Sequence, residues 1–394
     1  MRSRNLLLAT VAVIAVIVHG SLYPYQFRVP PGVAGPVEAL LDSWATPPSS
    51  YGDLVANLLL YVPLGFFGAL AMRGGRALRL CVMILAGLVL CTGIELAQFY
   101  DIGRVTNMSD VYLNTSGAAL GAVAAVVLAS AGRYLPTTEI AADPIPVLLL
   151  VAMLGYHLYP YVPTIDLRKY WHSVRPLLLA PSLPPYALLR YVALWLTTGC
   201  LIGAISGFKR SRVFLPLFVA FVFAGEILIE NRVLSLPEVV GAAVAVGVWF
   251  AIGGSRRAAV LLTGVVLCGA IAVARLEPFD FQVPARAFGW LPFRSFLGGS
   301  LGKNVTSFLE KFFLYGSLVW LSIEAGLSLW LATASVALFL FVTSVAETYL
   351  PGRSAEITDS LMVLMIGLVM AAIMKRQDPN HYIAPAATAR NAPP

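Results

Sequence analysis

The sequence predicts an all-α polytopic membrane protein, with about twelve transmembrane helices in three parallel four-helix repeats under a pseudo-threefold relation. Three observations carry this reading. Apolar residues fill 59% of the 394 positions and charged residues only 12%, against roughly 45–50% and about 25% in a soluble domain. Such a chain cannot cover its surface with polar groups in water. The apolar runs are continuous rather than alternating, which fits spanning helices and not a membrane barrel. Finally, one short motif recurs, as LYPYQF at Leu22–Phe27, LYPYVP at Leu158–Pro163 and LEPFDF at Leu276–Phe281. Each copy closes an apolar run and opens a Pro-rich polar stretch.

Taken in order, the first apolar run is 5–22, behind MRSR. It has the outline of a secretory signal. Its counterparts ahead of the second and third motifs are internal and cannot be cleaved signals, so it is kept as a spanning helix. Runs 54–72, 78–99 and 110–131 complete the first segment. The second has 145–160, 186–206, 212–229 and 236–252, and the third 257–275, 304–324, 328–349 and 357–374. Each is about long enough to cross the roughly 30 Å hydrocarbon layer. The longer loops 23–53, 161–185 and 276–303 are rich in Pro and aromatic residues. The boundaries expected are 1–135, 136–254 and 255–376, followed by a Pro/Ala-rich tail, 377–394, that reads as a disordered cytoplasmic extension.

Basic residues orient the chain. Arg2 and Arg4, Arg73, Arg76 and Arg79, Lys209–Arg212, Arg256–Arg257 and Lys375–Arg376 gather on one side with few acids. That places both termini in the cytoplasm of a bacterial inner membrane. The net charge of +7 is then a topology signal, and no nucleic-acid partner is expected. Cys81, Cys91, Cys200 and Cys268 lie in apolar runs without CxxC spacing, and the four histidines are scattered. Neither disulfide, metal nor cofactor is expected.

The repeat extends beyond its first motif. NLLLYVPLG at Asn57–Gly65 matches KFFLYGSLV at Lys311–Val319 and, more loosely, LLRYVALWL at Leu188–Leu196, aligning Tyr61, Tyr315 and Tyr191. Further on, a Glu ends an apolar run, an Arg follows, and an acid stands six residues after that Arg. The trios are Glu95/Arg104/Asp110, Glu226/Arg232/Glu238 and Glu347/Arg353/Asp359. Four anchors in one order at a period of about 120 residues define three copies.

Residues 5–131 resemble the VanZ-like membrane proteins through SLYP, NLLLYVPLGF, GIELAQ and GRVTNMSDVYLNTSGAALG. The last 120 residues or so share the resemblance well and the middle copy weakly. It implies a small polytopic module of the bacterial envelope, in a family named for resistance to teicoplanin-type glycopeptides. Relatives are associated with envelope or exopolysaccharide assembly. No settled reaction comes with the resemblance.

A carboxylate inside a helix end near the membrane is costly unless paired. The bland reading makes each trio a clamp in which the loop Arg neutralises the Glu, so Glu226, Arg232, Glu238, Glu347, Arg353 and Asp359 are expected as structural ion pairs. The sharper reading centres on the first copy, which alone has Asn57, Gln98 and Asn114. There Arg104, with Gln98, Asn57 and Asn114, would bind an anionic group, since a planar guanidinium suits phosphate or carboxylate. Two functions follow. One is a non-enzymatic protein that binds or moves an anionic lipid or lipid-linked glycan at the outer face, together with other envelope-assembly proteins. The other is a membrane enzyme using Glu95 and Asp110 as acid and base; a proton-coupled carrier is a third reading.

Overall fold

The computed structural model describes residues 2–23, 25–29, 35–46, 51–102, 106–134, 144–179, 181–252, 254–297 and 301–374. The tail expected to be disordered and Arg104 lie outside the described residues. The first segment contains α1 (Arg2–Leu22), α2 (Pro36–Asp42), α3 (Tyr51–Ala71), α4 (Arg76–Gln98) and α5 (Met108–Tyr134). The second contains α6 (Pro144–Leu158), α7 (Leu167–Leu179), α8 (Pro185–Ser206), α9 (Ser211–Leu228) and α10 (Leu236–Ala251). The third contains α11 (Arg256–Leu276), α12 (Arg294–Leu297), α13 (Leu301–Glu324), α14 (Leu329–Ala346) and α15 (Thr358–Met374).

Twelve of these helices have fifteen residues or more, and their ends fall within three residues of the apolar runs. Lipid leaves the backbone no other partner, so an apolar run becomes a helix that satisfies itself. Local signals set the ends. Pro185 and Pro237 sit in the first turns of α8 and α10, where a missing N–H costs nothing. Ser255 and Ser328 cap α11 and α14 by accepting the backbone N–H of Ala258 and Leu331. Among the described residues, six spans are long and apolar enough to cross a bilayer: α4, α5 as far as Val127, α8, α9, α11 and α14 extended to Tyr349. The protein is therefore a helical membrane protein. Among these, α8 is 61% buried along its most apolar stretch and α4 and α9 only 28%. So α8 is a core helix, while Leu85 and Val89 of α4 and Phe214, Leu217 and Phe221 of α9 face outward.

The described residues of the three motif segments share one backbone hydrogen bond. The N–H groups of Tyr25, Tyr161 and Phe279 reach back to the carbonyls of Leu22, Leu158 and Leu276 at 2.8, 2.7 and 2.8 Å. All three aromatics have positive φ, at 65°, 63° and 63°, a conformation that costs an L residue roughly 1–2 kcal/mol. Each motif loop is then sewn to the loop between the third and fourth long helices of its own segment. Backbone pairs run from Gln26/Arg28 to Tyr100/Ile102, from Val162/Thr164 to Leu228/Glu230, and from Gln282/Arg286 to Tyr349/Thr348.

The core is divided two to one rather than evenly. One cluster joins α6, α8, α10, α11, α13, α14 and α15 around Trp195, Leu267, Phe313 and Leu340, while Ile17, Tyr61, Leu64, Cys91 and Ala118 form a separate one. Packing between the second and third segments is reciprocal: α6 lies on α13, and α11 on α8. The first segment packs mainly on itself, with α1 also against α15. A threefold relation would make all three contacts alike, and these are not alike. Within the first segment α3 and α5 nearly touch: a Cβ on Gly117 would lie 2.0 Å from the Leu58 carbonyl oxygen, and one on Gly121 2.0 Å from that of Val62. The small-xxx-small spacing thus serves close helix approach.

Candidate functional site

The residue immediately before each motif leucine organises the polar groups. These are Ser21, His157 and Arg275, at the ends of α1, α6 and α11. In the third segment Arg275 is 8% exposed and enters a cage. One guanidinium nitrogen pairs with Asp359 and donates to the Tyr315 hydroxyl at 3.1 Å. The other donates to Ser344 Oγ at 2.7 Å and Glu347 Oε2 at 3.1 Å. Lys311 Nζ closes the set on Asp359 Oδ1 at 2.7 Å. A buried charge is tolerable only when paired and hydrogen-bonded, and here both acids share a fixed cation.

In the second segment His157 takes the position of that arginine. Its Nδ1 lies 2.7 Å from Glu226 Oε1 and 3.4 Å from Glu238 Oε1. All three residues are buried. Sequence spacing hides this cluster, because the histidine is 69 residues from Glu226. The signal that could have found it is the alignment of the motif leucines, which puts a cation or imidazole in register with both later acids.

The loop arginines do something else. Arg232 Nε donates to the Tyr159 carbonyl at 2.6 Å, and its Nη2 to that of Tyr156. Arg353 Nε donates to the Glu277 carbonyl at 2.9 Å, and its Nη2 to the same oxygen. Neither forms the expected ion pair with Glu226 or Glu347. These carbonyls belong to the ends of α6 and α11 or the residues just past them, where a helix leaves acceptors without N–H partners. A guanidinium there satisfies them and opposes the negative end of the dipole. Lys169 of α7 likewise donates to the carbonyls of Glu226 and Ile227, at 2.8 and 2.7 Å. Burial lowers its ammonium pKa from the usual value.

The first segment is drawn together by backbone contacts. Glu95, 2% exposed, accepts the Asn107 N–H at 2.9 Å. Gln98 donates to the Ser21 carbonyl at 2.7 Å. Asn114 is buried, and its Oδ1 has no hydrogen-bond partner among the described residues. Asn57 is half-buried on α3 and Asp110 sits in the first turn of α5. Gln98 and Glu95 therefore already have backbone partners.

Two cavities border the other two segments. One, of about 380 Å³, lies between α8, α11 and α13 and is lined by Arg190, Arg275, Lys311 and Arg353 with Glu310, Glu347 and Asp359. The second, of about 250 Å³, is lined by Tyr156, His157, Tyr191, Glu226, Asn231, Arg232 and Glu238. Arg190 marks the wall between them, donating to the Tyr156 hydroxyl at 2.8 Å and pairing with Glu310.

Long apolar helices with buried charge cages at their ends define an α-helical membrane protein. Residues 7–129 match the family model described as VanZ/LLP1, so the first segment is similar to that family. No curated protein and no solved structure matches the chain.

Proposed function

We propose that this protein works in the bacterial inner membrane, binding an anionic lipid headgroup or lipid-linked glycan in the cavity between its second and third segments. The carrying observation is the charge of that cavity: four cationic side chains face three carboxylates, an excess of one positive charge. Arg190 has a side chain 36% exposed, leaving donors for a phosphate or carboxylate. A volume of about 380 Å³ falls within the roughly 300–1,000 Å³ of small-molecule sites, enough for a headgroup but not its acyl chains. Native mass spectrometry of protein extracted with its lipids tests this. The wild type should retain an anionic lipid or lipid-linked glycan, and Arg190→Gln with Lys311→Gln should release it. Equal retention by the double variant, or none by the wild type, would refute the reading.

We read all twelve long helices as crossings, with both termini cytoplasmic and the motif loops outside. The shared turn, the same-segment loop stitching and the Ser21/His157/Arg275 register support three copies of one four-helix unit. An impermeant maleimide on intact cells should label Ile165→Cys and spare Arg76→Cys in a cysteine-free background. The opposite pattern inverts the topology. The VanZ-like first segment suggests a role in glycopeptide resistance or exopolysaccharide assembly, alongside other envelope-assembly proteins.

A further inference from the structure

We propose that His157, Glu226 and Glu238 form a binding site for one divalent transition-metal ion. The ligand atoms lie within 4.8 Å of one another, on α6, α9 and α10. Ligands held at about 2.0–2.2 Å by a tetrahedral ion are themselves roughly 3.3 Å apart. The distances from His157 Nδ1, 2.7 and 3.4 Å, bracket that value, so small side-chain shifts admit an ion. One imidazole and two carboxylates is a donor set of intermediate hardness, suited to zinc, manganese or ferrous iron.

Two independent observations point to a missing cation. First, Glu226 is 4% exposed and lies against the equally buried His157, yet Glu226 Oε2 has no hydrogen-bond partner among the described residues. Both residues line the cavity of about 250 Å³, which leaves room for further ligands such as water. Second, the molecule contains the same acid pair with its cation built in. In the third segment the Arg275 guanidinium holds Glu347 and Asp359 together. The second segment keeps two acids, with ligand oxygens of Glu226 and Glu238 within 4.8 Å of each other, and substitutes the shorter imidazole. The nearby cations do not replace the guanidinium, because Arg232 and Lys169 are spent on backbone carbonyls. Two buried carboxyls this close need a shared proton or a cation between them. A metal ion serves both and the imidazole lone pair together.

The experiment uses the full chain, purified in nanodiscs through a tag without histidine. It is equilibrated with zinc or manganese chloride, gel-filtered, and analysed for metal by mass spectrometry. The wild type should retain about one ion per chain and melt at higher temperature with the ion, as binding to the native state requires. His157→Arg is the decisive variant. It installs the guanidinium used in the third segment, should stay folded, and should retain no metal. Glu226→Gln should weaken binding by more than the roughly 10–100-fold that loss of an outer-shell partner costs. A wild type that retains no metal and shows no thermal shift with either ion overturns the proposal. So does binding by His157→Arg equal to that of the wild type.

Discussion

Arg275→Ala is expected to abolish folded protein, or nearly so. Removing the guanidinium leaves Glu347 with neither its ion pair nor the network through Ser344, and leaves Asp359 with Lys311 alone. Breaking a buried ion pair by deleting one partner costs about 3–5 kcal/mol, because the survivor stays buried and uncompensated. Total stabilities are only about 5–15 kcal/mol. Arg353→Ala, by contrast, strips hydrogen bonds from one carbonyl at a helix end, and a hydrogen bond to a charged group contributes about 1.5–3 kcal/mol. Fluorescence-detected gel filtration and thermal melting of the two variants side by side check the order. If Arg353→Ala were the more damaging, the clamp between loop arginine and glutamate would be restored and the Arg275 cage would lose its role. Adding Glu347→Gln to Arg275→Ala should recover part of the loss, since it removes the orphaned charge.

Gly121→Leu should leave the first segment unfolded, and even Gly121→Ala should cost stability. A methyl there meets the Val62 carbonyl oxygen at 2.0 Å and the Phe66 nitrogen at 2.9 Å. Both are backbone atoms, so no side chain can swing aside and α3 and α5 must separate. Overpacking of this kind costs about 1–3 kcal/mol, and more when the backbone cannot yield. Gly93→Ala on α4 is the control, because a Cβ there meets nothing within 4 Å and Ala is the better helix former by up to ~1 kcal/mol. Differential scanning fluorimetry should show Gly121→Ala melting lower and Gly93→Ala melting unchanged or higher. Equal melting of the two would contradict the close crossing.

The sequence by itself determined the solvent and the helices. In lipid the backbone must satisfy its own hydrogen bonds, so continuous apolar runs could become nothing but helices, and their ends moved by at most three residues. It also singled out Glu226, Glu238, Glu347 and Asp359, all of which are buried. Their partners it did not give. The nearest cation along the chain is the loop arginine six residues off, yet the cation that reaches Glu347 is 72 residues away, and the two that reach Asp359 are 84 and 48. Packing decided this, by bringing the end of α11 between α14 and α15 and the end of α6 between α9 and α10. The loop arginines were left to the exposed carbonyls of those same helix ends, groups that every sequence possesses and none displays. The two-to-one division of the core was equally out of reach, since it depends on which faces of α6, α8, α11 and α13 meet. A chain apolar on nearly every face carries no stripe to say so.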